Sequence, residues 1–146
     1  MKQVYVWLAR LIALGVVLQA AFIAWGTFDV FKTVDDGKVF TAEPDDYNAG
    51  QGLHATFGVM VIPALVLLLL IVSFFAKVPG GVWLALIALG LVVLQFLLAI
   101  FSFGAPIVGL LHGINAFVLA GVAGVAGRKA GGAAKASPPA EAPAAA

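Results

Sequence analysis

Cysteine is absent from the 146 residues, which excludes disulfides, thiolate metal sites, iron–sulfur clusters and covalently attached c-type haem. Charge is scarce: only 10% of residues are Asp, Glu, Lys or Arg, against about 25% in a soluble domain. The formal net charge is +1 and no basic stripe is present, so nucleic-acid binding has no electrostatic support. A nucleophile beside a base, a phosphate-cradling glycine loop and paired carboxylates within an apolar run are also missing. What remains is hydrocarbon. Hydrophobic residues make up 63% of the chain and mean hydropathy is +1.11, which places it among membrane proteins rather than water-soluble enzymes.

Four apolar runs, at about 5–28, 52–76, 82–104 and 107–127, each reach the roughly 20 residues that cross the hydrocarbon core as helix. Strands are excluded, because four are too few to close a barrel and open strands leave backbone groups unpaired in lipid. The sequence therefore predicts an all-α, up-down-up-down bundle of four transmembrane helices. An acidic loop (29–51) joins the first two spans, short turns join the others, and a disordered Ala/Gly/Pro-rich tail (130–146) follows. The length of the first run, and Arg10 inside it, argue against a cleaved signal peptide.

Lys2, Arg10, Lys77, Arg128, Lys129 and Lys135 fall on one side of this arrangement. The opposite side holds Lys32 and Lys38 among Asp29, Asp35, Asp36, Glu43, Asp45 and Asp46. The positive-inside rule then puts both termini in the cytoplasm. The loop carboxylates lack the ligand order of an EF-hand and read as a solvated surface.

Spans one and three share a pattern. Trp7 to Gln19 and Trp83 to Gln95 read identically over twelve consecutive positions once Arg10 and Leu91 are set aside. The match extends to Leu53-His54 and Leu111-His112 in the following spans, the only two histidines of the chain. Both histidines sit near the outer start of an inward-running helix. A two-fold repeat of helix pairs, related by an axis along the membrane normal, is the expectation.

Helices two and four of such a bundle face each other across its core. His54 and His112 at equal depth then form the geometry of a bis-histidine haem site. Gly58, Gly109 and Ala116 share helix faces with them and leave room for a flat ligand. Gln19 and Gln95, slightly deeper, could bond to a haem edge, a quinone carbonyl, each other, or a neighbouring helix. Asn115 lies on the face of His112, placed either to orient that ring or to cap a neighbouring carbonyl. Pro63 is expected to free a backbone carbonyl and kink span two. The competing reading makes the histidines and amides interhelical hydrogen-bonding groups of a cofactor-free structural or accessory protein. A zinc site would lack ligands, and a small transporter would lack a charged coupling residue in the core.

The segments Gly52-Leu53-His54-Ala55-Thr56-Phe57-Gly58 and Leu110-Leu111-His112-Gly113-Ile114-Asn115-Ala116 resemble a family of small four-helix bacterial membrane proteins with one histidine in helix two and one in helix four. More distantly, the arrangement is similar to one half of haem A synthase or to a b-type membrane cytochrome. That resemblance covers the chain up to the tail. It implies a multi-pass protein of the bacterial inner membrane, a haem b held by His54 and His112, and electron transfer or redox sensing with a quinone or a partner subunit. Haem A synthase halves carry further histidines that this chain lacks, so their oxidation chemistry is not implied.

Overall fold

The computed structural model describes residues 1–39 and 47–135, with side chains through residue 132. The middle of the acidic loop and the tail beyond residue 135 lie outside the described residues. Helices form all the regular structure described: α1 (Lys2–Asp35), α2 (Ala49–Thr56), α3 (Ile62–Ala76), α4 (Gly81–Gly104) and α5 (Val108–Lys135). A π-helical turn, Phe57–Val61, joins α2 to α3 without a break in the span. All four resulting spans are long and apolar enough to cross a membrane, making this a multi-pass membrane protein by the length and hydropathy of its helices.

Two helices outrun their hydropathy. The α1 helix continues past Phe28 to Asp35, and α5 continues to Lys135, so residues 130–135, expected in the disordered tail, are helical. Neither extension contains a proline, so each helix propagates from its apolar span beyond the hydrocarbon although Asp, Thr, Val and Gly in these segments are weak helix formers. At the α1 end, Lys32 pairs with Asp36 at 2.9 Å on an exposed face.

The packing follows a ring. The α1 helix packs against α2, α3 and α5, and α4 packs against α3 and α5. Consequently α1 faces α4 across one diagonal, and the second span faces α5 across the other. Two local devices fix the connections. An Asn48–Gln51 capping box starts α2, with Gln51 N–H donating to Asn48 Oδ1 at 3.0 Å and Asn48 N–H to Gln51 Oε1 at 3.3 Å. Asn48 Nδ2 also donates to the Gly26 carbonyl at 2.8 Å, which ties that cap to α1. At the other end Lys77 (φ 53°) and Gly80 (φ 71°) turn the chain into α4, and the buried Tyr5 hydroxyl donates to the Gly81 carbonyl at 2.9 Å.

The core is one-ended. Among the described residues its buried apolar side chains, such as Ile12 and Val16 of α1, Val66 and Leu69 of α3, Ala88 and Val92 of α4, and Leu119 and Ala123 of α5, lie in the half of the bundle nearer the termini. The half nearer the acidic loop contributes no comparable apolar layer. Its interior is a cavity.

Candidate functional site in the loop-side half of the bundle

The cavity has a volume of about 580 Å³ and is walled mainly by apolar side chains, within the range of about 300–1,000 Å³ typical of small-molecule sites. Its polar lining comes from His54, His112, Gln19, Gln95 and Ser102, and its small residues include Ala55, Gly58, Gly109, Gly113 and Ala116. The wall is interrupted on one side. The α4 helix packs against α3 but not α2, so α2 and the loop-side half of α4 flank the cavity without closing on each other.

Both histidines are half-buried and line this space. Their ring centroids are 6.3 Å apart, with the ring planes inclined at 57°. Each ring is held in the same way. His54 Nδ1 lies 3.1 Å from the carbonyl oxygen of Gln19, and His112 Nδ1 lies 3.2 Å from that of Gln95. A carbonyl can only accept, so Nδ1 carries the proton and Nε2 keeps its lone pair. This is the tautomer that a metal-ligating imidazole adopts when its other nitrogen is held by a backbone carbonyl.

The two halves differ around this common feature. Gln95 Nε2 donates back to the His112 carbonyl at 3.0 Å, so the two residues are joined twice. Asn115, 6% exposed, donates to Gln95 Oε1 and to the Leu91 carbonyl, the latter at 2.9 Å. Of the two roles open to it in the sequence, Asn115 takes the carbonyl-capping one, and through Gln95 it also braces His112. On the other side Gln19 is also buried, at 9% exposure, yet among the described residues neither its Nε2 nor its Oε1 has a partner. The position three residues after His54 is Phe57, not an amide, and its ring packs edge-on against Phe22 at 5.3 Å.

The structure thus brings His54, His112, Gln19, Gln95 and Gly58 around one cavity, with Asn115 behind it. Gly58 sits against Gln19: a Cβ there would meet the amide oxygen at 3.6 Å. The glutamine backbones are level with the histidine rings they hold, and both side chains reach deeper, that of Gln19 to Gly58 and that of Gln95 to Asn115. The features that sequence reading missed are main-chain ones, the carbonyls of Gln19, Gln95 and Leu91 and the π-helical turn. Pro63 signals that turn. It has no N–H for the carbonyl of Val59, and the backbone widens so that Ile62 N–H bonds to Phe57 O instead.

Among the described residues no group of three or more His, Asp or Glu side chains gathers where a metal ion could be held. Two neutral imidazoles can bind a metal only if other ligands come with it. No protein-family model matches the chain, and neither the curated proteins nor the solved structures contain a match to it.

Proposed function

We propose that this protein is a b-type haem protein of the membrane, with His54 and His112 as axial ligands, working as an electron carrier or redox sensor. The observation that carries the reading is the histidine separation. Two imidazoles that share one flat ligand must come from facing helices and leave room between their rings. The rings stand 6.3 Å apart. The lone pairs left on both Nε2 atoms and the 580 Å³ of mainly apolar space between four helices support the same reading.

A tetrapyrrole brings four equatorial nitrogens of its own, which answers the shortage of protein ligands. Held by His54 and His112, it would supply reversible one-electron chemistry. The residues of this chain would hold and insulate it. The Gln19 and Gln95 carbonyls orient the imidazoles, Asn115 rigidifies one side, and the glycines and alanines admit a flat ring. A single site in one half of the bilayer requires an electron partner, either a quinone or another subunit. The shared histidine–carbonyl pairing also supports reading the two helix pairs as an internal repeat. The distribution of cations supports an inner-membrane protein with both termini in the cytoplasm.

The test is the visible spectrum of the detergent-purified protein from haem-replete cells, oxidised and dithionite-reduced, beside His54→Ala and His112→Ala. A Soret band with sharp reduced α and β bands, lost in both variants, is expected. A colourless protein that also fails to take up added haem overturns the reading and leaves a cofactor-free accessory role.

A further inference from the structure

A second cleft lies at the opposite end of the bundle, between α1 and α5, far from the histidines in sequence and depth. It measures about 480 Å³, and its charged lining is Arg10 from α1 and Arg128 from α5. Its floor is made of Ala13, Gly124, Gly127 and Gly131. The glycines bring the arginines in: a Cβ on Gly124 would stand 3.4 Å from an Arg128 guanidinium nitrogen, and one on Gly127 would stand 4.0 Å from Arg10 Cγ. The Arg10 guanidinium lies over the Trp7 ring, 5.3 Å from its centroid, which props it at the level of an aromatic interface anchor.

Among the described residues neither cation meets a carboxylate. Asp29, Asp35 and Asp36 lie at the other end of the molecule, and Glu43, Asp45, Asp46 and Glu141 lie outside the described residues. Among the described residues the one ion pair is Lys32–Asp36, also at the far end. Two exposed guanidiniums from different helices line one glycine-floored cleft at the depth of the Trp7 ring, with no described acidic side chain beside them. At that depth the available anion is a lipid phosphate.

We infer that this cleft is a specific site for an anionic phospholipid of the leaflet on the side of the termini. Arg10 and Arg128 clamp the phosphate, and the glycerol and first acyl carbons lie along the small-residue floor. Arginine suits this task because its planar fork binds phosphate oxygens in pairs, which lysine cannot do. Two cations with no counter-charge among the described residues favour a headgroup with net negative charge over a zwitterionic one.

The experiment is native mass spectrometry of the full chain, released from nanodiscs containing equal phosphatidylglycerol and phosphatidylcholine. Wild type is expected to retain one phosphatidylglycerol, and to do so in excess inorganic phosphate. Arg10→Gln and Arg128→Gln are each expected to lower retention about fivefold. Arg10→Lys with Arg128→Lys, which keeps the charge and loses the fork, is expected to fall between. Lys77→Gln, the same loss of charge at the same end but outside the cleft, is expected to leave retention unchanged. Circular dichroism checks that each variant is folded, and the lysine pair serves if a glutamine variant is not. Equal retention of phosphatidylcholine, equal loss in Lys77→Gln, displacement by inorganic phosphate, or full retention in the folded arginine variants would each overturn the inference.

Discussion

Gln95 and His112 are bonded to each other twice, side chain to backbone in both directions, whereas Gln19 and His54 share only the imidazole-to-carbonyl bond. One histidine is therefore clamped and the other merely oriented. The asymmetry traces to one residue, since Asn115 completes the network beside His112 while Phe57 occupies the corresponding place after His54.

This yields opposite stability effects from one substitution at two positions. Gln95→Leu removes partners from His112 O and Asn115 and is expected to destabilise the ligand-free protein by about 1 kcal/mol. Gln19→Leu removes a buried amide that has no partner among the described residues, and is expected to be neutral or to stabilise by up to about 1 kcal/mol. Unfolding in mixed micelles with a denaturing detergent reads the order. Equal losses in both variants would contradict the asymmetry.

Backbone contact between α1 and α2 sets where His54 stands. A Cβ on Gly26 would lie 2.8 Å from Gln51 N and 2.9 Å from Asn48 Oδ1, and one on Gly50 would fall on the backbone of Phe22 and Gly26. Gly50→Val is expected to cost about 1–3 kcal/mol and to pull His54 from the Gln19 carbonyl. Gly52→Ala, two residues on and open to space, is the control expected to change stability by less than about 0.5 kcal/mol.

Pro63→Ala restores an N–H for the Val59 carbonyl, so the π-helical turn is expected to relax to α-helix. Closing the wide turn shifts the phase between α2 and α3 by about one residue, a rotation of about 100°, and swings His54 out of the cavity. Helix content measured by circular dichroism should be unchanged, while haem uptake should fall at least tenfold. Retained uptake would show that the turn has a cause other than proline.

Tyr5 ties the start of α1 to the start of α4. Tyr5→Phe keeps the ring and is expected to cost about 1 kcal/mol; Tyr5→Ala also opens a hole in a fully buried site and should cost about 3–5 kcal/mol. Thermal unfolding of the two variants in one detergent checks the order.

The absence of cysteine makes topology directly measurable. In intact cells a membrane-impermeant maleimide is expected to label Lys38→Cys but to reach Lys129→Cys only after permeabilisation. The reverse pattern would invert the orientation drawn from the cations.

The spans and the pairing of His54 with His112 were legible in the sequence because both are written in periodic, one-dimensional features: run length, and the same dipeptide near the loop-side start of two spans. The partners of the amides were not. Gln19 and Gln95 close identical stretches of sequence, yet one is engaged and the other is not, since the difference lies on a neighbouring helix. The bonds that fix the imidazoles end on carbonyls, which every residue has. Pro63 signalled a disturbance, but whether a helix answers proline with a kink or a π-helical turn depends on what packs around it.

A ligand that entered the histidine cavity between α2 and α4, which do not pack on each other, would come from the bilayer and not from water. Occupancy is then governed by a ligand's mole fraction among the lipids, and its aqueous concentration matters only through partitioning. Detergent tails become competitors for the same space. An affinity measured in micelles would understate the one that holds in a membrane, and the discrepancy should grow with detergent concentration.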